Sequence, residues 1–226
     1  MLETIEIEPE KKAIGSVIWL HGLGASGDDF SPVAPHMQLP DVRFIFPHAP
    51  VRPVTINAGF EMRAWFDITS LEDSPFRETL EHIIDSENQI TALIDREIER
   101  GIPSKNIVVM GFSQGAAMAL HVGHRYHSPL LGVIVMSGYL LNPTFFVSEM
   151  SAANVETPFH FYHGTRDLVV QCRKGEAAYD MVRKYHLMTR WRDYPVGHEV
   201  CLEQLRQIRF WLHNRYNHVR NVSPDD

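Results

Sequence analysis

The sequence contains very little cysteine, since Cys172 and Cys201 are the only two in 226 residues. Two thiols exclude the dense disulfide framework of small secreted proteins, and reduced thiols are the default in a cytoplasm. Residues 1–9 are acidic and have no apolar stretch of signal-peptide length. We therefore expect a cytoplasmic protein whose cysteines are packed rather than bridged.

The sequence also has fewer basic residues than acidic ones. Lysine and arginine together number 21 against 28 acidic residues, which gives a formal net charge of −7. A protein that binds nucleic acid or an anionic membrane presents a basic face to it. No apolar run comes near the roughly 18 residues that a membrane-spanning helix needs. We therefore expect no nucleic-acid partner and no stable membrane insertion.

Signatures of bound cofactors are missing as well. The glycine-rich stretch after residue 21 lacks the Lys-Ser or Lys-Thr ending of a phosphate-binding loop. His198-Glu199 lacks the second histidine of a helical zinc motif. Three more histidines are spaced three residues apart, so on a helix their side chains point in successively different directions. This spacing favours solvated side chains over metal ligands. The three are His121, His124 and His127. We expect no metal and no organic cofactor.

The sequence has ample material for a core, because 44% of its residues are hydrophobic and 22% are charged. Its length and composition predict one domain over residues 1–226, with a frayed tail at 217–226. Predicted strands lie at 4–8, 13–20, 42–46, 106–110, 130–136, 159–163 and 189–194. Predicted helices lie at 28–37, 80–98, 143–150, 175–186 and 199–216, and one more follows residue 115. This alternation predicts the α/β class with a mainly parallel sheet.

The chain is organised around the stretch Gly111-Phe112-Ser113-Gln114-Gly115. Apolar β-branched residues precede it, as in a buried central strand, and small residues follow it, as in a helix packed closely on the sheet. Ser113 then lies on a sharp strand-to-helix turn with its hydroxyl exposed. Ser113 is the predicted nucleophile, and an ordinary turn with a capping serine is the alternative.

A serine nucleophile needs a base and an acid, and both should follow later strands at the same edge of the sheet. His198 lies in the loop after the last predicted strand, and Asp167 follows the strand at 159–163. The order Ser, Asp, His is that of the α/β-hydrolase arrangement. Asp193, within a strand, and Asp180, within a helix, are the less well placed rivals. The alternatives are a surface histidine and a turn-forming aspartate.

An acyl-transfer site also needs donors for a developing oxyanion. The backbone N–H of Gln114 lies at the helix N-terminus, and the glycines beside Leu23 allow its amide to face the site. Leu23 and Gln114 are therefore the predicted donors, and a plain glycine-rich turn is the alternative for the first. Trp65, Phe66 and Val169 either line the substrate pocket or pack their own loops onto the core.

Several of these segments together resemble a known family, the small carboxylesterase and acyl-protein thioesterase group of α/β-hydrolases. The similarity covers about residues 13–214. It is carried by these segments: His21-Gly22-Leu23-Gly24, Met62-Arg63-Ala64-Trp65-Phe66-Asp67, Gly111-Phe112-Ser113-Gln114-Gly115-Ala116, Gly164-Thr165-Arg166-Asp167 and Gly197-His198. Ala58 and Val196 replace residues common in the family, glycine and methionine, so substrate preference stays open.

The resemblance implies an α/β-hydrolase fold with helices on both faces of the sheet. It also implies Ser113 as nucleophile, His198 as base, Asp167 as acid and the amides of Leu23 and Gln114 as oxyanion hole, with Trp65 near the acyl pocket. The predicted function is hydrolysis of carboxylic esters or acyl thioesters on small-molecule or acylated substrates. A peptidase and a binding protein without catalysis are the alternatives, and the oligomeric state, including a homodimer, stays open.

The two long connections on the serine side bear on whether a lid covers the site. Residues 137–158 hold one predicted short helix, and residues 47–76 contain prolines at 47, 50, 53 and 75. Proline fixes φ and removes the freedom that a moving flap needs. We therefore expect no large lid and a preformed, shallow apolar groove.

Overall fold

A computed structural model of the chain describes residues 1–70 and 78–221. Seven strands form one sheet in the order β1-β3-β2-β6-β7-β8-β9. They are β1 (Thr4–Ile7), β2 (Gly15–Leu20), β3 (Val42–Pro47), β6 (Ile107–Phe112), β7 (Gly132–Met136), β8 (Phe159–Gly164) and β9 (Thr189–Tyr194). Only β1 runs antiparallel to its neighbour. The α/β class and the mainly parallel sheet are confirmed.

Helices cover both faces of this sheet, and alternate side chains of β6 point toward the one face and the other. Ile107 and Val109 face a core that includes residues of α1 (Leu80–Glu99), α2 (Gln114–Arg125) and α3 (Cys172–Val182). Val108 and Met110 face a second core under α4 (Leu202–Asn221). A strand buried on both sides must be apolar at every position, which is the continuous run seen in the sequence.

Several helix bounds differ from the sequence-based prediction. The helix predicted at 28–37 is two 3-10 segments, Gly27–Asp29 and Ser31–Met37, with Pro35 inside the second. The one predicted at 143–150 contains a single 3-10 turn, Pro143–Phe145. The helix predicted at 175–186 is α3, which begins earlier and ends earlier.

The prediction of a frayed tail from residue 217 is wrong for residues 217–221. Helix α4 continues to Asn221. Tyr216 is fully buried, and the Arg220 guanidinium forms an ion pair with Asp41, with Nε 2.6 Å from Oδ2. These contacts hold the last turns of the helix against the protein. Residues 222–226 lie outside the described part of the chain.

The connection after β3 contains an antiparallel hairpin that the sequence did not predict. Strand β4 (Val51–Val54) pairs with β5 (Phe60–Arg63). Pro53 argues against a strand, but a two-stranded sheet consists only of edges, where a missing N–H is tolerated. Pro75, one of the prolines expected to stiffen this connection, lies outside the described residues. Within 1–70 and 78–221, no helix is long and apolar enough to cross a membrane.

The histidines on α2 are not solvated, which corrects the sequence-based prediction. His121 and His124 are buried, and only His127 is exposed. His121 Nε2 lies 3.0 Å from a Glu87 carboxylate oxygen, and His124 Nδ1 lies 3.0 Å from the Leu120 carbonyl oxygen. The His124 ring also stacks on Phe146 at 4.3 Å between centroids. Periodicity alone misses this, because helix α2 is enclosed by the chain around it.

Buried neutral histidines should make the fold sensitive to acid. Burial lowers the pKa of His21 to about 4 and that of His124 to about 2. In the unfolded chain both titrate near about 6.5, so below that pH the unfolded state binds protons that the folded state does not. Each histidine should then reduce the free energy of unfolding by up to about 1.4 kcal/mol per pH unit as the pH falls from about 6.5.

Urea unfolding at pH 7, 6 and 5 would measure this loss. The variant H124Q should show a shallower pH dependence than the wild-type protein, and H127Q, which changes an exposed histidine on the same stretch, should not. Parallel pH dependences for H124Q and wild type would contradict the expectation.

Candidate active site

Ser113 lies on the sharp turn between β6 and α2, as the sequence predicts. Its backbone angles, φ 55° and ψ −118°, are unusual for a residue with a side chain. A Cβ atom on Gly111 would collide with the carbonyl oxygen of Gly115, and one on Gly115 with the carbonyl oxygen of His21. The two glycines therefore let the helix turn back tightly against the sheet and present the serine hydroxyl at its edge.

The side chains of Ser113, His198 and Asp167 form one hydrogen-bonded line. His198 Nε2 lies 2.8 Å from Ser113 Oγ, and His198 Nδ1 lies 2.6 Å from Asp167 Oδ2. The Asp167 side chain is fully buried, whereas the His198 side chain keeps 17% of its surface exposed. A buried carboxylate thus orients a partly accessible imidazole against the serine hydroxyl.

The loop after β8 holds the Asp167 carboxylate in place. Its Oδ1 atom accepts the backbone N–H groups of Val169, at 2.9 Å, and Val170, at 2.8 Å. His163 Nε2 lies 2.7 Å from the Val170 carbonyl oxygen and 3.6 Å from Asp167 Oδ2. Burial lowers the pKa of His163, which keeps this second histidine neutral beside the carboxylate.

Among the described residues, the two rival acids contact side chains other than His198. Asp193 is exposed on β9 and accepts the Trp191 indole N–H at 3.3 Å. Asp180 is exposed on α3 and pairs with Arg183 at 2.8 Å. Within residues 1–70 and 78–221, the ring nitrogens of His198 form their hydrogen bonds with Asp167 and Ser113.

The close approach of the His198 loop to the Asp167 loop depends on Gly164 and not on Gly197. Gly197 has no left-handed φ, and a Cβ atom there would lie 3.9 Å from the nearest atom, the Arg166 carbonyl oxygen. A Cβ atom on Gly164 would instead collide with the carbonyl oxygens of Val196 and Gly197. Gly164, at the end of β8, therefore allows the His198 loop to approach the Asp167 loop closely.

The amides of Leu23 and Gln114 lie on two adjacent turns. Gln114 is the first residue of α2, so its N–H has no acceptor in the preceding turn of the helix. Strands β2 and β6 are neighbours, which brings residues 21–24 beside Ser113. A Cβ atom on Gly22 would lie 3.4 Å from Ser113 Cβ. Both amides are thus on backbone that borders the serine.

The expected pocket residues do not share one role. Trp65 and Phe66 are fully buried, so they anchor their loop to the core and are not on the wall of an open groove. Their burial favours packing of the loop on the core, the second of the two expectations for these residues. Val169 is 71% exposed and its neighbour Leu168 is 90% exposed, so these side chains do not pack under their loop.

No sign of another reactive centre emerges from residues 1–70 and 78–221. In that part of the chain, no three His, Cys, Asp or Glu side chains are grouped as metal ligands would be. Both cysteines are free, and burial raises the pKa of the Cys172 thiol to about 11. A thiol with such a pKa stays protonated at neutral pH and is a poor nucleophile.

Two histidines near the site escaped the sequence analysis. His163 lies within a predicted strand and His21 begins a glycine-rich stretch, and neither pattern indicates a role for the side chain. The ring of His21 lies 2.7 Å from the Gly22 carbonyl oxygen and 3.0 Å from the Ala49 backbone N, which the sequence cannot show because Ala49 lies 28 residues away.

Comparison with known proteins identifies a family and several relatives. The model of the phospholipase/carboxylesterase family matches residues 3–215. Acyl-protein thioesterase 1 of Neurospora crassa is 35% identical over 219 residues, which cover 92% of this chain and 89% of the relative. Carboxylesterase SOBER1 of Arabidopsis thaliana is 32% identical over 206 residues, with 88% and 90% of the two chains covered.

Solved structures show the same fold. The crystal structure of Arabidopsis thaliana SOBER1 superposes with a TM-score of 0.82 at 30% identity and covers 89% of this chain and 99% of its own. Zea mays acyl-protein thioesterase 2 superposes with a TM-score of 0.83 at 25% identity, with 95% and 99% covered. The chain therefore has the α/β-hydrolase fold and is a hydrolase that belongs to the phospholipase/carboxylesterase family.

Proposed function

We propose that this hydrolase cleaves carboxylic esters or acyl thioesters through Ser113, His198 and Asp167. The observation that carries the proposal is the pair of contacts made by His198, 2.8 Å to Ser113 Oγ and 2.6 Å to Asp167 Oδ2. Such a line lets the imidazole accept the serine proton while the carboxylate keeps the other ring nitrogen protonated. The relatives named acyl-protein thioesterase and carboxylesterase support both substrate classes.

In the first half-reaction, His198 Nε2 takes the proton of Ser113 Oγ as this oxygen attacks the acyl carbon. The amides of Leu23 and Gln114 donate hydrogen bonds to the resulting oxyanion. His198 then gives its proton to the leaving alcohol or thiol, and the acyl group stays on Ser113. Asp167 stabilises the imidazolium that forms between these two transfers.

In the second half-reaction, water occupies the position of the departed alcohol or thiol and attacks the acyl carbon. His198 removes a proton from the water, the acyl-enzyme ester is cleaved and Ser113 regains its hydrogen. The exposed part of the His198 side chain gives water access to its ring. Leu168 and Val169 follow Asp167 in its loop and have exposed side chains, and we assign Val169 a place at the edge of the acyl site.

A fluorophosphonate probe tests the nucleophile directly, because it forms a stable bond only with an activated serine. Wild-type protein should be labelled at Ser113, and labelling should vanish in S113A. A panel of p-nitrophenyl esters, acyl-CoA and S-acyl peptides would then rank ester, thioester and acyl length. Cleavage of unmodified peptides in preference to all of these would favour the peptidase alternative, and no labelling would favour a binding protein.

We further propose that the chain works as one domain in the cytoplasm on small-molecule or acylated substrates. The seven-stranded sheet takes strands from Thr4 to Tyr194, and α4 packs back on it through Ile208 and Leu212. A single sheet with two shared cores supports one folding unit. Sedimentation would decide between a monomer and a homodimer.

The site should act on dissolved substrates without activation at a lipid interface. In the connection 137–158, the Ser151 N–H donates to the His124 carbonyl oxygen at 2.8 Å, and Phe146 is fully buried against His124. In the other connection, Thr55 N–H donates to Asp67 Oδ1 at 2.7 Å. Segments anchored in this way are poorly suited to open and close as a lid.

The rate against a short-chain ester should therefore follow simple saturation as substrate concentration rises. The rate should show no abrupt increase when the substrate concentration exceeds the critical micelle concentration. A sharp increase there would show that one of these two connections moves as a lid.

A further inference from the structure

The two proposed oxyanion donors lie on turns beyond the hydrogen-bonded part of the sheet. The ladder between β2 and β6 ends with the pair Leu20 and Gly111, whereas the donors are the amides of Leu23 and Gln114. Both N–H groups must reach within about 2.7–3.1 Å of the same developing oxygen. Contacts other than the strand ladder must therefore set the distance and the direction of these amides.

Trp65 and Phe66 contact both turns, the first through their backbone and the second through the Trp65 indole. The Gln114 side chain accepts the Trp65 N–H at Oε1 and donates from Nε2 to the Phe66 carbonyl oxygen, each at 2.7 Å. The Trp65 indole N–H donates to the His21 carbonyl oxygen at 2.8 Å. These four residues are at most 2% exposed, so water does not compete for the bonds. One buried segment thus ties the Gln114 turn to the turn after β2.

The His21 ring completes the arrangement by orienting a single peptide group. Its Nε2 accepts the Ala49 N–H at 3.0 Å, so the proton is on Nδ1, which donates to the Gly22 carbonyl oxygen at 2.7 Å. The Gly22 C=O and the Leu23 N–H belong to the same planar trans peptide and point in opposite directions. A ring that holds the carbonyl therefore also fixes the direction of the Leu23 N–H.

We infer that the side chains of His21, Trp65 and Gln114 form an oxyanion brace, a set of positioning residues that holds the amides of Leu23 and Gln114 at catalytic spacing. None of the three side chains needs to touch the substrate. The inference rests on the proposed function, because the brace acts through the proposed oxyanion hole. It also gives a reason for the complete burial of Trp65, which is a structural link between two turns and not a pocket wall.

The variant W65F tests the brace, because phenylalanine keeps an aromatic side chain and loses the indole N–H that bonds His21. Y216F is a matched control at the opposite end of β2. The Tyr216 hydroxyl is fully buried and donates to the Ser16 carbonyl oxygen at 3.0 Å, so Y216F, like W65F, removes one buried donor to a backbone carbonyl. The comparison therefore separates an effect on the site from a general loss of stability.

Two measurements distinguish positioning from stability. In W65F, kcat for an ester should fall about 10- to 100-fold with KM within about twofold, because misplaced donors weaken only the transition state. The inhibition constant of a trifluoromethyl ketone, whose adduct with Ser113 carries an oxyanion, should rise by the same factor. In Y216F, both quantities should stay within about twofold of the wild-type values.

A second variant, Q114L, keeps the backbone amide and removes the carboxamide bonds to Trp65 and Phe66. It should show the same loss of kcat and the same weakened ketone binding. Wild-type kinetics and ketone binding in folded W65F and Q114L would overturn the brace. Failure of both variants to fold would also overturn it, since the bonds would then serve stability alone. If S113A kept its activity, the proposed function itself would fail, which is a separate result.

Discussion

Replacement of Ser113 by alanine should lower kcat by roughly 10³- to 10⁶-fold and leave the fold intact. The change removes the oxygen that lies 2.8 Å from His198 Nε2 and keeps the Cβ atom in the same tight turn. Ester hydrolysis under saturating substrate would measure the loss, and thermal unfolding would verify the fold. Retention of a tenth of the activity would refute the assignment of Ser113 as nucleophile.

A double variant, S113A with H198A, provides the control. If Ser113 and His198 act as a unit, the second change should cost little beyond the first. Independent losses that multiply would mean that His198 acts on something other than the serine hydroxyl.

Replacement of Asp167 by asparagine should lower kcat on the order of 10⁴-fold. Asp167 Oδ2 accepts a hydrogen bond from the His198 Nδ1–H at 2.6 Å, and an amide nitrogen at that position would favour the tautomer that cannot act as base toward Ser113. The buried carboxylate also stabilises the imidazolium, which a neutral amide does not. Steady-state kinetics of D167N against wild type would measure the effect.

The matched control for this change is D193N. Asp193 is exposed on the neighbouring strand β9, where it accepts a hydrogen bond from the indole N–H of Trp191. We expect nearly wild-type kinetics from D193N. If D193N were the damaging change and D167N were not, the assignment of the acid would be wrong.

The sequence alone indicated the order of strands and helices along the chain. It also indicated which residues meet at the edge of the sheet. Ser113, Asp167 and His198 each follow a predicted strand, and parallel strands end at one edge. Ser113 could be predicted because its tight turn requires glycine at positions 111 and 115. Asp167 and His198 could be predicted because each follows a later strand. The family assignment also agrees with motifs that are short and contiguous in sequence.

The hairpin β4–β5, the continuation of α4 and the burial of His121 and His124 were not readable in this way. Each depends on contacts with residues distant in sequence, such as Arg220 with Asp41, or His121 with Glu87. Local propensity and periodicity describe what a segment prefers, and tertiary packing decides whether a polar side chain is enclosed with a partner.

The sequence by itself determined the α/β class and the identity of the proposed triad, because strand patterns and tight turns are local properties of the chain. Only the tertiary structure decided that Trp65 is buried between two turns and that His21 orients the peptide before Leu23. The hydrogen bonds of Trp65 join residues 44 and 49 positions apart in the chain, to His21 and to Gln114 respectively. Such pairings leave no pattern in a single sequence, because they arise only when the folded sheet brings the ends of β2 and β6 beside the segment after β5.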